Sequence, residues 1–145
     1  MPVPRPRASA SVRRVSSPDP RDPDLVAFWT ERHLCSLTTL RADGSPHVVA
    51  VGATYDPVTM TARIITSDGT VKARNVERGD GTARVAINQL DGRRWSTLEG
   101  VGRVSRDPAD VAESERRYAA RYRQPRVNPR RVTILVDVDR VLGHL

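Results

Sequence analysis

Short runs of alternating apolar and polar residues, joined by tight turns, are the feature that most restricts how this chain can fold. The clearest run lies near the C-terminus, where Val132, Ile134, Val136 and Val138 alternate with Thr133, Leu135, Asp137 and Asp139. A period of two places the two sets on opposite faces of a β-strand, so this segment predicts a strand with one buried face.

Five further segments have the composition of strands. Two lie within residues 33–56, on either side of the turn ADGSP, and a third covers Met60–Ser67 after the turn DPVT. The last two, TARVAINQL and RWSTLEGVGRVSR, are joined by the turn DGR. Asp-Gly turns of this kind connect antiparallel neighbours. Because helices are absent between most of the strands, a doubly wound parallel sheet is excluded.

Three helices are predicted between or before these strands. The first begins near residue 24 with Asp22 or Asp24 as cap, followed by Leu25, Phe28, Trp29 and Arg32 at helical spacing. A short helix over 70–79 takes Thr70 as cap and Gly79 as a left-handed terminator. The third opens with Asp107 and Pro108. The predicted fold is mainly β: a split β-barrel of six mostly antiparallel strands with about three helices.

The chain has the length of one domain preceded by an extension. Residues 1–24 contain six of the eleven prolines and five arginines, a composition that predicts disorder. Residues 25–145 form the predicted barrel domain. No run of 18 apolar residues occurs, and the N-terminus lacks the apolar region of a secretory signal. The single cysteine, Cys35, lies in an apolar run and is expected to be a buried thiol. We therefore expect a cytoplasmic protein.

The positive charge is concentrated in one segment. The formal net charge is +7, and seven arginines with no acidic residue among them lie between positions 116 and 131. The remaining 17 basic residues equal the 17 acidic ones in number. One basic cluster on an otherwise neutral domain indicates a single anionic partner. Few aromatic residues accompany the cluster, which disfavours nucleic acid as that partner and favours an anionic small molecule.

Lys72 is the only lysine in the chain, and it follows the predicted strand-to-helix passage ITSDGT. A helix N-terminus offers unpaired N–H groups and partial positive charge, which is where anions bind. Thr66, Ser67 and Thr70 add hydroxyl groups, and a lysine is a compact cation for phosphate. The alternative is an ordinary solvated lysine on a surface helix.

Other chemistry-bearing residues are less informative. Trp95 and Ser96 enter a strand after a turn, where a tryptophan either stacks on a planar ring or packs in the end of a barrel. His47 is placed in a strand, with no second metal ligand nearby. No Cys, His or Asp spacing resembles a metal site, so no metal is expected, and no Walker, Gly-x-Ser-x-Gly or dinucleotide motif occurs.

The same segments carry a family resemblance. The pattern ERHL…LTTLRADGSPHVVAVG, ARIITS…VKARNVER, RRWSTLEGVGRV and YAARYRQPRVNPRRVTILVDVDRVLG resembles the deazaflavin-dependent members of the pyridoxamine 5'-phosphate oxidase-like split-barrel flavoproteins. It is most similar to the actinobacterial biliverdin reductases that use reduced coenzyme F420, and the arginine-rich composition fits such a source. The resemblance covers about residues 25–143.

The resemblance implies an enzyme that transfers a hydride from reduced F420 to a conjugated tetrapyrrole, converting biliverdin to bilirubin. It also implies a homodimer with cofactor sites in grooves between the subunits. The cofactor phosphate would be held by Ile65, Thr66, Ser67, Lys72 and Asn75. The ring would be bordered by Leu40, Val49, Trp95 and Ser96. The oligoglutamate tail of the cofactor or the propionates of the substrate would be met by Arg121, Arg123 or Arg130.

Two alternatives remain open. The same fold serves FMN-dependent oxidases and reductases, although pyridoxamine phosphate oxidases carry an Arg-Lys pair where this chain has Val71 and Lys72. The chain also fits a non-catalytic carrier of a deazaflavin or tetrapyrrole. Water, or water ordered by an arginine, is expected to deliver the proton rather than His47, because no paired acid and base residues stand out.

Overall fold

The computed structural model describes residues 17–145, which form seven strands and three helices. In chain order the elements are α1 (Pro23–Thr30), β1 (Cys35–Leu40), β2 (Pro46–Val51), β3 (Ala53–Asp56), β4 (Thr61–Ser67), α2 (Val71–Arg78), β5 (Ala83–Asp91), β6 (Arg94–Ser105), α3 (Pro108–Arg121) and β7 (Arg131–His144). No helix among the described residues is long and apolar enough to cross a membrane.

All seven strands belong to one antiparallel sheet with the order β2-β1-β5-β6-β7-β4-β3. Consecutive strands β2 and β3 lie at opposite edges of this sheet, yet only Gly52 separates them. The sheet therefore curls until its two edges meet at Gly52, which confirms the predicted β-barrel fold. The strand count is seven rather than six, because the second predicted strand is divided at this glycine.

Gly52 is required by the helix that packs over the junction. A Cβ atom at position 52 would lie 2.7 Å from Cε2 of Tyr118 and 3.1 Å from Cε2 of Tyr122. These separations are well inside van der Waals contact, so a side chain here would have to displace the two tyrosine rings. Gly52 is thus the point at which the chain passes from one sheet edge to the other and at which the two tyrosine rings pack.

The interior of the barrel is aliphatic. Its buried side chains come from alternate positions of the strands and include Leu37, Val51, Ile64, Val85, Ile87, Leu98, Ile134, Val136 and Val138. The predicted alternation in β7 is confirmed for Val132, Ile134, Val136 and Val138. Thr133 and Leu135, on the other face, are buried as well, because α3 packs over β3, β4 and β7.

Helix α1 covers one end of the barrel with Leu25, Phe28 and Trp29, as its spacing predicts. The Asp22 carboxylate accepts hydrogen bonds from the N–H groups of Asp24 and Leu25, so the predicted cap is confirmed. The helix ends at Thr30, and Arg32 lies beyond it. Cys35 is buried, as expected.

Two predicted details of α2 are wrong. Thr70 occupies the cap position without capping, since its Oγ1 lies 3.0 Å from Oγ1 of Thr66 instead. Gly79 is right-handed (φ −72°), and the positive φ angles follow at Asp80 and Gly81. Glycine is needed at position 79 for a different reason, because a Cβ there would lie 2.4 Å from the Cβ of Ala83.

Most of the predicted N-terminal extension lies outside the described residues, which begin at position 17. Its last residues make specific contacts with the barrel. The Tyr55 hydroxyl donates to the carbonyl of Pro20 at 2.9 Å, and Arg21 Nε donates to the carbonyl of Pro57 at 3.1 Å. Pro20 and Arg21 are therefore in contact with the end of β3 and the turn after it.

Candidate functional site

The site begins where β4 passes into α2. The turn Asp68–Gly69 needs a positive φ of 81° at Gly69, and it directs the start of α2 back along the sheet. Because the Thr70 hydroxyl is turned towards Thr66, no side chain among residues 17–145 accepts from the first N–H groups of the helix. The N-terminus of α2 therefore offers free donors and partial positive charge.

Lys72 projects from this first turn into a pocket of about 330 Å³, here named the Lys72 pocket. Its walls are formed by Ile65 of β4, by the β2–β3 junction, and by the chain around and after α3; the lining residues are Ala50, Val51, Gly52, Ile65, Lys72, Tyr118, Arg123, Pro125, Arg126 and Arg131. Four of these residues carry positive charge and none carries negative charge.

The charges in the Lys72 pocket are poorly neutralised within the described part of the chain. Lys72, Arg123 and Arg126 have no carboxylate within 4.0 Å among residues 17–145, and Arg131 reaches Glu115 only at 3.9 Å. Burial lowers the pKa of the Lys72 ammonium below its ordinary value. A site that gathers partly desolvated cations without counter-charges is suited to an anion, which would supply the missing charge.

Hydrogen bonds between two loops hold the arginine segment beside α2. Asn128 Nδ2 donates to Ser67 Oγ at 2.8 Å, and Asn128 Oδ1 accepts from the N–H of Arg130 at 2.9 Å. The N–H of Asp68 donates to the carbonyl of Arg130 at 2.8 Å, while Arg130 Nη2 donates to the carbonyl of Asp68 at 3.0 Å. Of the predicted residues, the structure thus assembles Ile65, Thr66, Ser67, Lys72, Arg123 and Arg130 in one region.

Asn75 and Leu40 lie beside a different pocket, between α2 and the end of β1, with a volume of about 290 Å³. Asn75 is buried, donating to Thr39 Oγ1 at 3.0 Å and accepting from Arg78 Nη1 at 3.1 Å. Leu40 is about half exposed, and Val49 packs against the core from the edge strand β2. The structure does not bring these three residues into the Lys72 pocket.

Trp95 and Ser96 lie at the start of β6, also away from the Lys72 pocket. Ser96 is fully buried, and its Oγ accepts a hydrogen bond from Trp29 Nε1 at 2.9 Å. Trp95 is partly exposed and pairs with Leu90 and His144 on the neighbouring strands. Ser96 therefore has a structural contact that ties α1 to the barrel.

Arg121 is held by the fold rather than presented to a ligand. Its guanidinium donates to the carbonyls of Glu31 (2.9 Å) and Ala53 (2.6 Å) and to Gln89 Oε1. It also stacks over the rings of Trp29 and Tyr122. Because its donors are engaged at the end of the barrel, we assign it no direct ligand contact.

Sequence reasoning missed Arg126, Arg131 and Tyr118 as lining residues of the Lys72 pocket. All three lie inside the basic segment, but the sequence did not show which arginines face α2. Pro125 offered a partial signal, since it prevents α3 from continuing and turns the following residues back towards β4.

A second polar group was not expected from the sequence. Ligand atoms of Glu31, His33 and Asp91 lie within 4.8 Å of one another near the surface. Arg94 pairs with both carboxylates, at 2.9 Å from Glu31 and 2.5 Å from Asp91. The guanidinium thus supplies the positive charge that a metal ion would bring, and we assign no metal to this group.

Known proteins resemble this chain in sequence and in fold. The family model described as pyridoxamine 5'-phosphate oxidase matches residues 22–145. The chain belongs to this family. A relative from Mycobacterium tuberculosis, named F420H(2)-dependent biliverdin reductase, is 55% identical over 120 residues, which are 83% of this chain and 85% of the relative.

Solved structures with lower identity show the same fold. A conserved hypothetical protein from Mycobacterium tuberculosis has a TM-score of 0.73 at 19% identity, covering 93% of this chain and 89% of that chain. A structure titled F420 reductase has a TM-score of 0.64 at 23% identity, covering 79% and 93% respectively. The predicted split-barrel architecture is confirmed by these neighbours.

Proposed function

We propose that this protein is an F420-dependent reductase that converts biliverdin to bilirubin. The 55% identical relative bears the name of that activity over most of both chains. In the structure, the proposal depends on one observation: the Lys72 pocket gathers four cations without a carboxylate in its lining, and Lys72 comes from the first turn of a helix whose N-terminus has no side-chain cap. F420 carries a phosphate group and an oligoglutamate tail, so several negative charges must be met close together.

The residues present fit such a cofactor. Lys72 and the first N–H groups of α2 are suited to the phosphate, because both donate hydrogen bonds and both belong to the first turn of one helix. Arg123, Arg126 and Arg131 line the same pocket, and Arg130 is held at the turn before α2 by its hydrogen bond to the Asp68 carbonyl. Ile65 supplies an apolar surface beside them. Thr66 and Ser67 act mainly by shaping the turn, since each hydroxyl already has a partner.

The bound deazaflavin supplies the hydride, and the protein binds and orients the two planar partners. Reduction of biliverdin also consumes one proton. The lining of the Lys72 pocket contains no carboxylic acid or histidine. We therefore propose that water delivers this proton, ordered by the arginines that line the pocket.

We further propose a cytoplasmic homodimer that binds small anionic molecules and not nucleic acid. The outer face of β2, β1 and β5 leaves Leu40, Val48 and Leu90 exposed by 49, 59 and 65%. A second copy would bury this surface and would place its own residues beside the groove. Leu40 and Trp95 are proposed to border the ring in that assembly, whereas Val49 lies on the opposite face of β2, towards the core.

The test is anaerobic turnover of biliverdin by the purified protein with reduced F420, followed by absorbance. We expect the biliverdin band to fall as oxidised deazaflavin appears. Binding of F420 without turnover would indicate a carrier instead. A yellow protein that retains FMN and does not bind F420 would indicate an FMN-dependent oxidase or reductase. DNA affinity that falls steeply with salt, without cofactor binding, would refute the small-molecule reading.

A further inference from the structure

A second pocket adjoins the Lys72 pocket and is here named the tyrosine pocket. It has a volume of about 380 Å³ and is lined by Arg32, Leu34, Tyr118, Tyr122 and Arg123. Tyr118 and Arg123 line both pockets, so the two spaces share a wall. Whatever occupies the tyrosine pocket therefore lies next to the proposed cofactor site.

The tyrosine pocket is lined by two neighbouring rings, of which Tyr122 is held by hydrogen bonds. The centroids of Tyr118 and Tyr122 are 5.0 Å apart. The Tyr122 hydroxyl donates to the carbonyl of His33 at 2.7 Å, so the ring cannot swing away without breaking a partly buried hydrogen bond. Such a preformed aromatic surface is suited to contact with a planar conjugated molecule.

The rim of the tyrosine pocket is built by the segment between α1 and β1. Arg121 Nε donates to the carbonyl of Glu31, and Tyr122 donates to the carbonyl of His33. These two bonds hold the backbone on either side of Arg32 and bring Leu34 to the edge of the pocket. Arg121, predicted to bind substrate, thus acts on this pocket only by positioning its rim.

The chemistry of the rim combines an exposed apolar side chain with two cations. Leu34 is 73% exposed. Arg32 and Arg123 have no carboxylate partner within 4.0 Å in the described part of the chain, whereas Arg94, Arg106, Arg116 and Arg117 all have one closer than that. A ligand with a flat apolar body and carboxylates at its edge would satisfy both features.

We propose that the tyrosine pocket is the subsite for the propionate-bearing part of the tetrapyrrole, with its conjugated pyrroles against Tyr118 and Tyr122 and a propionate between Arg32 and Arg123. The inference rests on the proposed function, because it assigns the place of that substrate. It predicts that the enzyme selects its substrate partly by negative charge at this edge.

Leu34 allows a direct test because its exposure makes substitution harmless to the core. The variants Leu34→Glu and Leu34→Arg place opposite charges at the same point. Each is assayed with biliverdin and with biliverdin dimethyl ester, which has the same conjugated system but no propionate charge. Binding of both compounds is also titrated without cofactor. Arg103→Ala, which removes an exposed arginine on β6, is the control for net charge.

We expect the preference for biliverdin over its ester to fall about three- to tenfold in Leu34→Glu and to rise in Leu34→Arg. The effect is of this size because solvent partly screens the interaction between the introduced charge and the propionate. Arg103→Ala is expected to leave the preference unchanged. The inference is overturned if the two charge variants shift the preference in the same direction or leave it unchanged. It is also overturned if they change the affinity for F420 instead, because the glutamate tail would then occupy this pocket. Binding with charge preference but without turnover would support the subsite and refute the proposed reaction.

Discussion

Replacing Lys72 with methionine removes the ammonium group while keeping an unbranched side chain of similar length. At a separation of about 4 Å, a cation and a phosphate attract by about 4 kcal/mol at the effective dielectric of a protein surface. Solvent screens part of that attraction. The three neighbouring arginines would still attract the phosphate when the Lys72 charge is removed. Hydrogen bonds to charged groups contribute about 1.5–3 kcal/mol, so we expect the Kd for F420 to rise roughly ten- to 150-fold.

The same substitution is expected to have no cost for folding, and even a small gain. Burial lowers the pKa of Lys72, so between that lowered pKa and the ordinary value of 10.5 the unfolded chain binds more protons than the folded one. The buried charge therefore opposes folding at neutral pH, and the penalty diminishes as pH rises through this window. Lys72→Met in the cofactor-free protein should melt at the same temperature as the wild type or slightly higher.

Affinity is best measured by fluorescence titration of F420, alongside thermal melting of the free protein. Lys72→Arg keeps the charge and should bind more tightly than Lys72→Met. Arg74→Met, on an exposed position of the same helix, is the matched control. Wild-type affinity should decrease at alkaline pH as Lys72 loses its proton, and Lys72→Met should not show that step. An unchanged Kd in Lys72→Met, or a loss of its stability, would refute the assignment of Lys72 to an anion.

Three further predictions concern a hydrogen bond, a close packing contact and an exposed apolar residue. Asn128→Ala should raise the KM for F420 severalfold with little change in kcat, because it removes the hydrogen bond to Ser67. Adding Ser67→Ala should raise the KM no further, and additive effects of the two substitutions would contradict a shared hydrogen bond. Gly52→Ala should destabilise the fold by about 1–3 kcal/mol in urea unfolding, because its Cβ meets Tyr118; unchanged stability would contradict this packing. Val48→Asp should produce a monomer by light scattering, and a persistent dimer would move the interface elsewhere.

The sequence predicted the barrel well because its signals are local. Alternation in β7 and the Asp-Gly turns each depend on a few neighbouring residues, and the Asp22 and Asp107 caps depend on a single side chain. The division of the second strand was missed because its cause is not local. Gly52 sits there because Tyr118, far along the chain, packs over that point. A glycine in a valine-rich strand signals some close approach, but it does not say what approaches.

The part of the candidate site that depends on neighbouring residues was predicted, and the part that depends on distant contacts was not. Lys72 and the end of β4 were identified because they form one continuous strand-to-helix passage. The arginines were identified as a group, but their individual roles were not separable. Arg121 falls in the last turn of α3 and turns into the end of the barrel, whereas Arg126 lies beyond Pro125 and turns towards α2. Pro125 indicates that the chain turns before Arg126, but only the tertiary structure shows which element each arginine faces.

Lys72 differs from arginines such as Arg106 and Arg121 in having no hydrogen-bond acceptor among residues 17–145, and this difference makes it the clearest candidate for ligand binding. Planar guanidiniums with several donors find acceptors within the fold, as Arg121 does with two carbonyls and Gln89, and as Arg106 does with Asp68 and Glu77. Lys72 has one compact charge, and no acceptor lies within hydrogen-bond distance of it among residues 17–145. A cation that the fold does not use, and that burial makes costly, gains most from an incoming anion. The same reasoning separates Arg123 from Arg121 within the basic segment: cations left without partners are the ones to test for ligand binding.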